Sequence, residues 1–151
     1  MSRSGYHEDD SDNWSFIMWR GRVASSIRGK RGQALLRELE AALVALPEKK
    51  LCQSDFANPT TGQVCALGAV ALKRRLDKGQ DRATAIREIA AEFPEGEEAE
   101  LVCEEFDIAE PLAKEITYVN DEYLTYEDAT PEKRYEEVLA WVRSKIKPAV
   151  A

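Results

Sequence analysis

The run Thr61-Gly62-Gln63-Val64-Cys65-Ala66-Leu67-Gly68-Ala69-Val70-Ala71-Leu72 limits this chain more than any other stretch. It is the least polar segment and the one place where small residues gather: Gly62, Cys65, Ala66, Gly68, Ala69 and Ala71. Small side chains at helical spacing let neighbouring backbones approach closely. The run therefore predicts a buried central helix, about residues 64–77, entered through the Asn58-Pro59-Thr60-Thr61-Gly62 turn. Cys65, Ala69, Leu72 and Leu76 align on it at steps of three and four.

The rest of the chain reads as helices that could cover this one. Phe16, Trp19, Val23 and Ile27 mark a helix from about Asn13 to Arg28, ended by Gly29. Leu35, Leu36, Leu39, Leu43 and Leu46 mark a second from about Gln33 to Leu46, stopped by Pro47. Asp81 caps a helix bearing Ala83, Ile86, Ala90 and Phe93. Leu101, Val102 and Phe106 point inward from a short acidic helix over 97–106. Leu112, Ile116 and Val119 follow on another, from about Ala109 to Val119. Tyr118 to Ala129 reads as a polar loop. Thr130-Pro131 then opens the last helix, with Tyr135, Val138, Leu139, Val142 and Ile146 on its apolar face. Period-two alternation is scarce. The expected fold is all-α, a single compact domain of six to seven short helices over 13–147, with a mobile polar lead at 1–12 and a tail at 148–151. At 151 residues one domain suffices, burying about 68–70% of the unfolded surface.

Charge is distributed unevenly. From Arg20 to Lys50 eight basic residues face three acidic ones, whereas from Ala91 to Ala140 seventeen acidic residues face three basic ones. The net charge is −7, so the polarity bears on partners rather than on fold. No apolar run approaches the ~18 residues of a membrane span, and the acidic start is unlike a signal peptide. Cys52, Cys65 and Cys103 lie far apart and read as reduced thiols of a cytoplasmic protein.

Two local features could carry binding. Arg28-Gly29-Lys30-Arg31-Gly32-Gln33 reads as a connector of free backbone amides and cations ahead of a helix N-terminus. With Arg20 and Arg22 it could hold a phosphate or a nucleic-acid backbone; a solvated helix–helix turn has the same composition. Asn120 and Asp121, with Tyr118, Tyr123 and Tyr126 nearby, suit a recognition loop, although Asn120 could equally cap the preceding helix and Asp121 start a turn. Trp14 and Trp141 fit either the core or a self-association surface.

Catalytic and metal signals are weak. The one histidine, His7, lies in the polar lead beside Glu8, Asp9 and Asp10 without calcium-loop spacing. Cys52 and Cys65 form no Cys-x-x-Cys pair. Carboxylate pairs such as Glu97/Glu98 and Glu104/Glu105 are explained by a solvated acidic face. The reading is a protein without catalytic activity, metal or cofactor.

Several segments together resemble a small uncharacterised family of bacterial and phage or prophage proteins. They are Met1-Ser2-Arg3-Ser4-Gly5-Tyr6, Trp19-Arg20-Gly21, Ile27 to Gln33, Ala45 to Leu51, Gly62 to Ala69, Asn120-Asp121-Glu122, Thr130-Pro131-Glu132 and Trp141-Val142. Residues 53–61 and 77–105 match less well. The resemblance implies a mobile-element context. The leading expectation is then a binding protein whose acidic face, including Glu97, Glu98, Glu104, Glu105, Asn120, Asp121, Tyr123 and Tyr126, engages a basic host surface, as an anti-CRISPR-like inhibitor of host defence would. The alternative is a nucleic-acid or phosphate-binding module built on Arg20, Arg22, Arg28, Lys30 and Arg31.

Overall fold

In the computed structural model, residues 4, 13–93, 98–125 and 127–148 are described. Among them the chain forms α1 (Asn13–Arg28), α2 (Lys30–Ala45), β1 (Ala57–Asn58), β2 (Gln63–Val64), α3 (Ala66–Asp77), α4 (Arg82–Glu92), α5 (Glu98–Phe106), α6 (Glu110–Glu122) and α7 (Pro131–Lys145). The all-α expectation holds, with one two-stranded antiparallel ribbon pairing Ala57 with Val64 and Asn58 with Gln63.

α3 is the hub. It packs against α2, α4 and α6, and every residue from Ala66 to Leu72 is buried. Its small residues have a measurable cause: a Cβ placed on Gly68 would lie 1.9 Å from the carbonyl oxygen of Phe56. The Phe56 loop thus runs directly over α3, and that same carbonyl accepts the Cys65 N–H at 3.1 Å. Phe56 also stacks on Phe93, ring centroids 4.5 Å apart, and Phe93 stacks on Phe106, tying α4 and α5 to the loop. The turn between the strands is set by Asn58, whose Oδ1 accepts the N–H groups of Thr60 and Thr61. Gly62, at φ +74°, supplies the left-handed step.

The helices follow their apolar stripes, with four departures. Leu35, Leu36, Leu39, Leu43 and Leu46 are all buried. On α1, Val23 and Ile27 are buried but Phe16 is 54% exposed, because the first turns of the helix extend past the core. Ala83 is exposed while Ala85 and Ile89 join Ile86 inside, so α4 is rotated from the expected stripe. Leu76 is partly exposed near the end of α3. α6 continues to Glu122, three residues beyond Val119, through what reads locally as loop. Of the polar lead, Ser4 is described: it is buried and its hydroxyl donates to Glu122 at 2.8 Å.

Candidate functional site

The basic segment is not a loop. α1 ends at Arg28, Gly29 alone makes the joint in extended conformation, and Lys30, Arg31 and Gly32 form the first turn of α2. Gly32 is what allows so tight a joint, since a Cβ there would lie 1.9 Å from the Ser26 carbonyl oxygen. Gln33 locks it from beneath: its Nε2 donates to the carbonyls of Ile27 and Lys145, at 2.8 and 3.0 Å, and its Oε1 accepts the Lys147 N–H at 2.8 Å. Lys147 Nζ donates to the Arg28 carbonyl at 2.7 Å, a cation placed at the negative end of α1.

The five predicted cations have different roles. Arg20 turns away to α6, where both its terminal nitrogens donate to the carboxylate of buried Glu115 at 2.8 Å. Arg22 lies over the Trp19 ring, 5.4 Å from its centroid, with Lys114 over the same ring. Arg28 and Lys30 are exposed. Arg31 pairs with Asp107 at 3.2 Å, both side chains largely in water. A pair so exposed contributes about 0–1 kcal/mol, so an incoming anion can take Arg31 from Asp107 at little cost.

A cleft of about 380 Å³ opens where these elements meet. α1 contributes Arg22, Ser25 and Ser26, and the joint contributes Gly29, Arg31 and Gly32. The opposite wall is Ala109 and Pro111, at the start of α6. Two helix N-termini therefore border one cleft. Neither has a side-chain cap, since the N-cap residues are Gly29 and Ala109. The α2 N-terminus carries roughly half a positive charge, and Arg22 and Arg31 add two full ones, offset by Asp107 on Arg31 and by Glu110 in the first turn of α6. Pro111 has no N–H to offer, so a small oxyanion would be held by the α2 end and the two arginines. The α6 wall is absent from the sequence reading; its signal is the Ala109-Glu110-Pro111 helix start.

The second predicted site is a correction. Asn120 and Asp121 are 2% and 8% exposed and belong to α6, not to a recognition loop. Asn120 caps a helix, but α3 rather than its own: Oδ1 accepts the Ala66 N–H at 3.0 Å and Nδ2 donates to the Cys52 carbonyl at 3.0 Å and to Asp121 Oδ1 at 2.8 Å. Asp121 accepts the Ser54 N–H, and its carbonyl accepts from Gln53. Buried Arg134 donates to the Leu51 carbonyl at 3.2 Å; burial pushes its guanidinium below its ordinary value, against the pull of Asp121. No buried side-chain polar atom among the described residues lacks a partner, so this junction spends its hydrogen bonds on holding residues 51–54 to α3, α6 and α7.

Of the remaining acidic candidates, Glu104 and Glu105 are exposed on α5, and Tyr123 is 53% exposed. Glu97 and Tyr126 lie outside the described residues, as does the side chain of Glu98. Among the described residues no three His, Cys, Asp or Glu side chains converge as metal ligands, and no helix is long and apolar enough to cross a membrane. No protein-family model, curated protein or solved structure matches the chain.

Proposed function

We propose that this protein is a non-catalytic cytoplasmic binding module that takes a phosphate group in the cleft between α1, α2 and α6. One observation carries the reading: Arg22 and Arg31 line one cleft together with Gly29 and Gly32 at the start of α2, whose N-terminus has no side-chain cap of its own. Free nucleotides and nucleic-acid backbones both present this chemistry. The volume suits a small ligand, and a net charge of −7 works against long polyanions by repulsion at a distance.

Titration with inorganic phosphate, a nucleoside monophosphate and a single-stranded oligonucleotide at low salt tests this. Saturable binding that falls about tenfold or more in Arg31→Glu and in Arg22→Glu supports it. Retention of the oligonucleotide alone identifies a nucleic acid as the source of the phosphate. If none of the three binds at low salt, the reading is wrong.

A second reading rests on Glu104 and Glu105, exposed carboxylates with no ion pair among the described residues. The acidic face would then engage a basic surface of a host protein, in keeping with the phage or prophage setting that the sequence resemblance implies and with an inhibitory role. Such association weakens steeply with salt and slows when Glu104 and Glu105 are changed to Lys. Salt-insensitive association would remove it.

A further inference from the structure

α1 is apolar on two sides. Val23 and Ile27 face the core, while Trp14, Ile17 and Met18 are 71%, 60% and 52% exposed. At about 100° per residue those three share an outward stripe, which continues through Gly21 and Ser25, both exposed. Single exposed hydrophobics are ordinary; three adjoining ones on a helix face mark a contact surface.

Gly21 sharpens the point. A Cβ there would meet nothing within 4 Å, unlike Gly32 and Gly68, so this chain's own packing does not require glycine. Mid-helix glycine costs about 0.5–1 kcal/mol relative to alanine. What glycine provides here is a notch on the exposed face, between Ile17 and Ser25, deep enough for another backbone to come close.

Charge selects the occupant. α1 contains no acidic residue, and Arg22 and Arg28 flank the stripe, exposed. We propose that the outward face of α1 docks an acidic amphipathic helix of another protein. Its apolar side chains would lie on Trp14, Ile17 and Met18, its backbone over Gly21 and its carboxylates beside Arg22 and Arg28. An anionic bilayer could use the same apolar and cationic groups, but it gains nothing from a notch, and the net charge of −7 opposes it. A second copy laid α1 against α1 would set arginines against arginines. The face adjoins the phosphate cleft and shares Arg22 and Ser25 with it, whereas Trp14, Ile17, Met18 and Gly21 do not line the cleft.

The test pans a displayed library of helical peptides against the full chain. The expected winners carry apolar residues at i, i+3, i+4 and i+7 flanked by Asp or Glu. Their affinity falls about tenfold or more in Gly21→Leu and in Ile17→Asp, and persists in Arg31→Glu, which disables only the cleft. A Cβ at Gly21 meets nothing within 4 Å, and circular dichroism of Gly21→Leu checks its fold before its binding is read. Failure to enrich any peptide, winners without acidic flanks, or winners indifferent to Gly21→Leu would each overturn the proposal. So would a Trp fluorescence blue shift on phosphatidylglycerol vesicles, or a doubled solution mass that Gly21→Leu halves; these assign the face to lipid or to a second copy.

Discussion

Asn120 and Ala66 are 54 residues apart, yet the carboxamide of the first accepts the N–H of the second at 3.0 Å, inside the core. α3 has a cap of its own in Cys65, but its sulfur is a weak acceptor, 3.3 Å from the Gly68 N–H. Asn120 makes up the difference from a neighbouring helix. Asn120→Ala leaves the Ala66 N–H and the Cys52 carbonyl buried without this partner, at about 1–3 kcal/mol per orphaned group. The expected loss is about 2–4 kcal/mol in urea unfolding; a change below about 1 kcal/mol would show that the junction is not the clamp described.

Three glycines should respond in opposite directions to alanine. Gly32→Ala and Gly68→Ala each drive a methyl to within 1.9 Å of a backbone carbonyl oxygen. Neither helix can shift without disturbing the core, so losses of about 3 kcal/mol or more are expected. Gly21→Ala meets open space and should gain about 0.5–1 kcal/mol. Thermal unfolding of the three variants checks the order.

Arg20 is half in water while its partner Glu115 is 5% exposed. Removing Arg20 strips a buried carboxylate of its bidentate donor, at about 2–4 kcal/mol after allowance for solvent on the arginine side. Replacing both, Arg20→Met with Glu115→Leu, should restore most of the loss. A double variant no more stable than the single one would show that α1 and α6 need the charges themselves.

Acid should weaken the fold partly through the α4 cap Asp81 and through Asp128 in the turn before α7. The Thr84 N–H, 3.0 Å from its carboxylate, and then the Thr84 hydroxyl hold Asp81 below the usual carboxylate range. The Thr125 hydroxyl, then Lys133, does the same for Asp128. The unfolded chain binds these protons more readily, so the contribution is fully present above about pH 4 and is lost as pH falls through the lower folded values. Asp81→Asn keeps an acceptor at the cap without the charge. Its denaturation midpoint should depend less steeply on pH between about 2 and 5 than the wild type's; parallel curves would contradict this.

The core was legible because it is written locally. Leu35, Leu39 and Leu43 sit at helical steps, and the small residues of α3 announce a close approach before its partner, Phe56, can be named. Thr130-Pro131 and Asp81 likewise mark helix starts that the structure places at the same residues. Asn120-Asp121 misleads for the same reason: in a local reading the pair suits a turn, and its true partners, Ala66, Cys52 and Ser54, are far away in sequence. The basic connector misleads through Gly29 and Gly32. Two glycines suggest a loop, whereas one makes a single-residue joint and the other lets α1 and α2 touch. Ala109 and Pro111 complete the cleft from a segment more than seventy residues away whose charges, Asp107 and Glu110, are acidic and so do not point to an anion site.

Gln33 and Lys147 have a bearing on how the chain is made. The joint between the first two helices is finished by Lys145 and Lys147, whose backbone and side-chain groups bind Gln33 and Arg28 across more than a hundred residues. During synthesis α1 and α2 are made more than a hundred residues before the groups that close their corner. The cleft at that corner therefore takes its final shape only after translation has passed Lys147, and a nascent chain stalled earlier presents the same cations on an unfastened hinge.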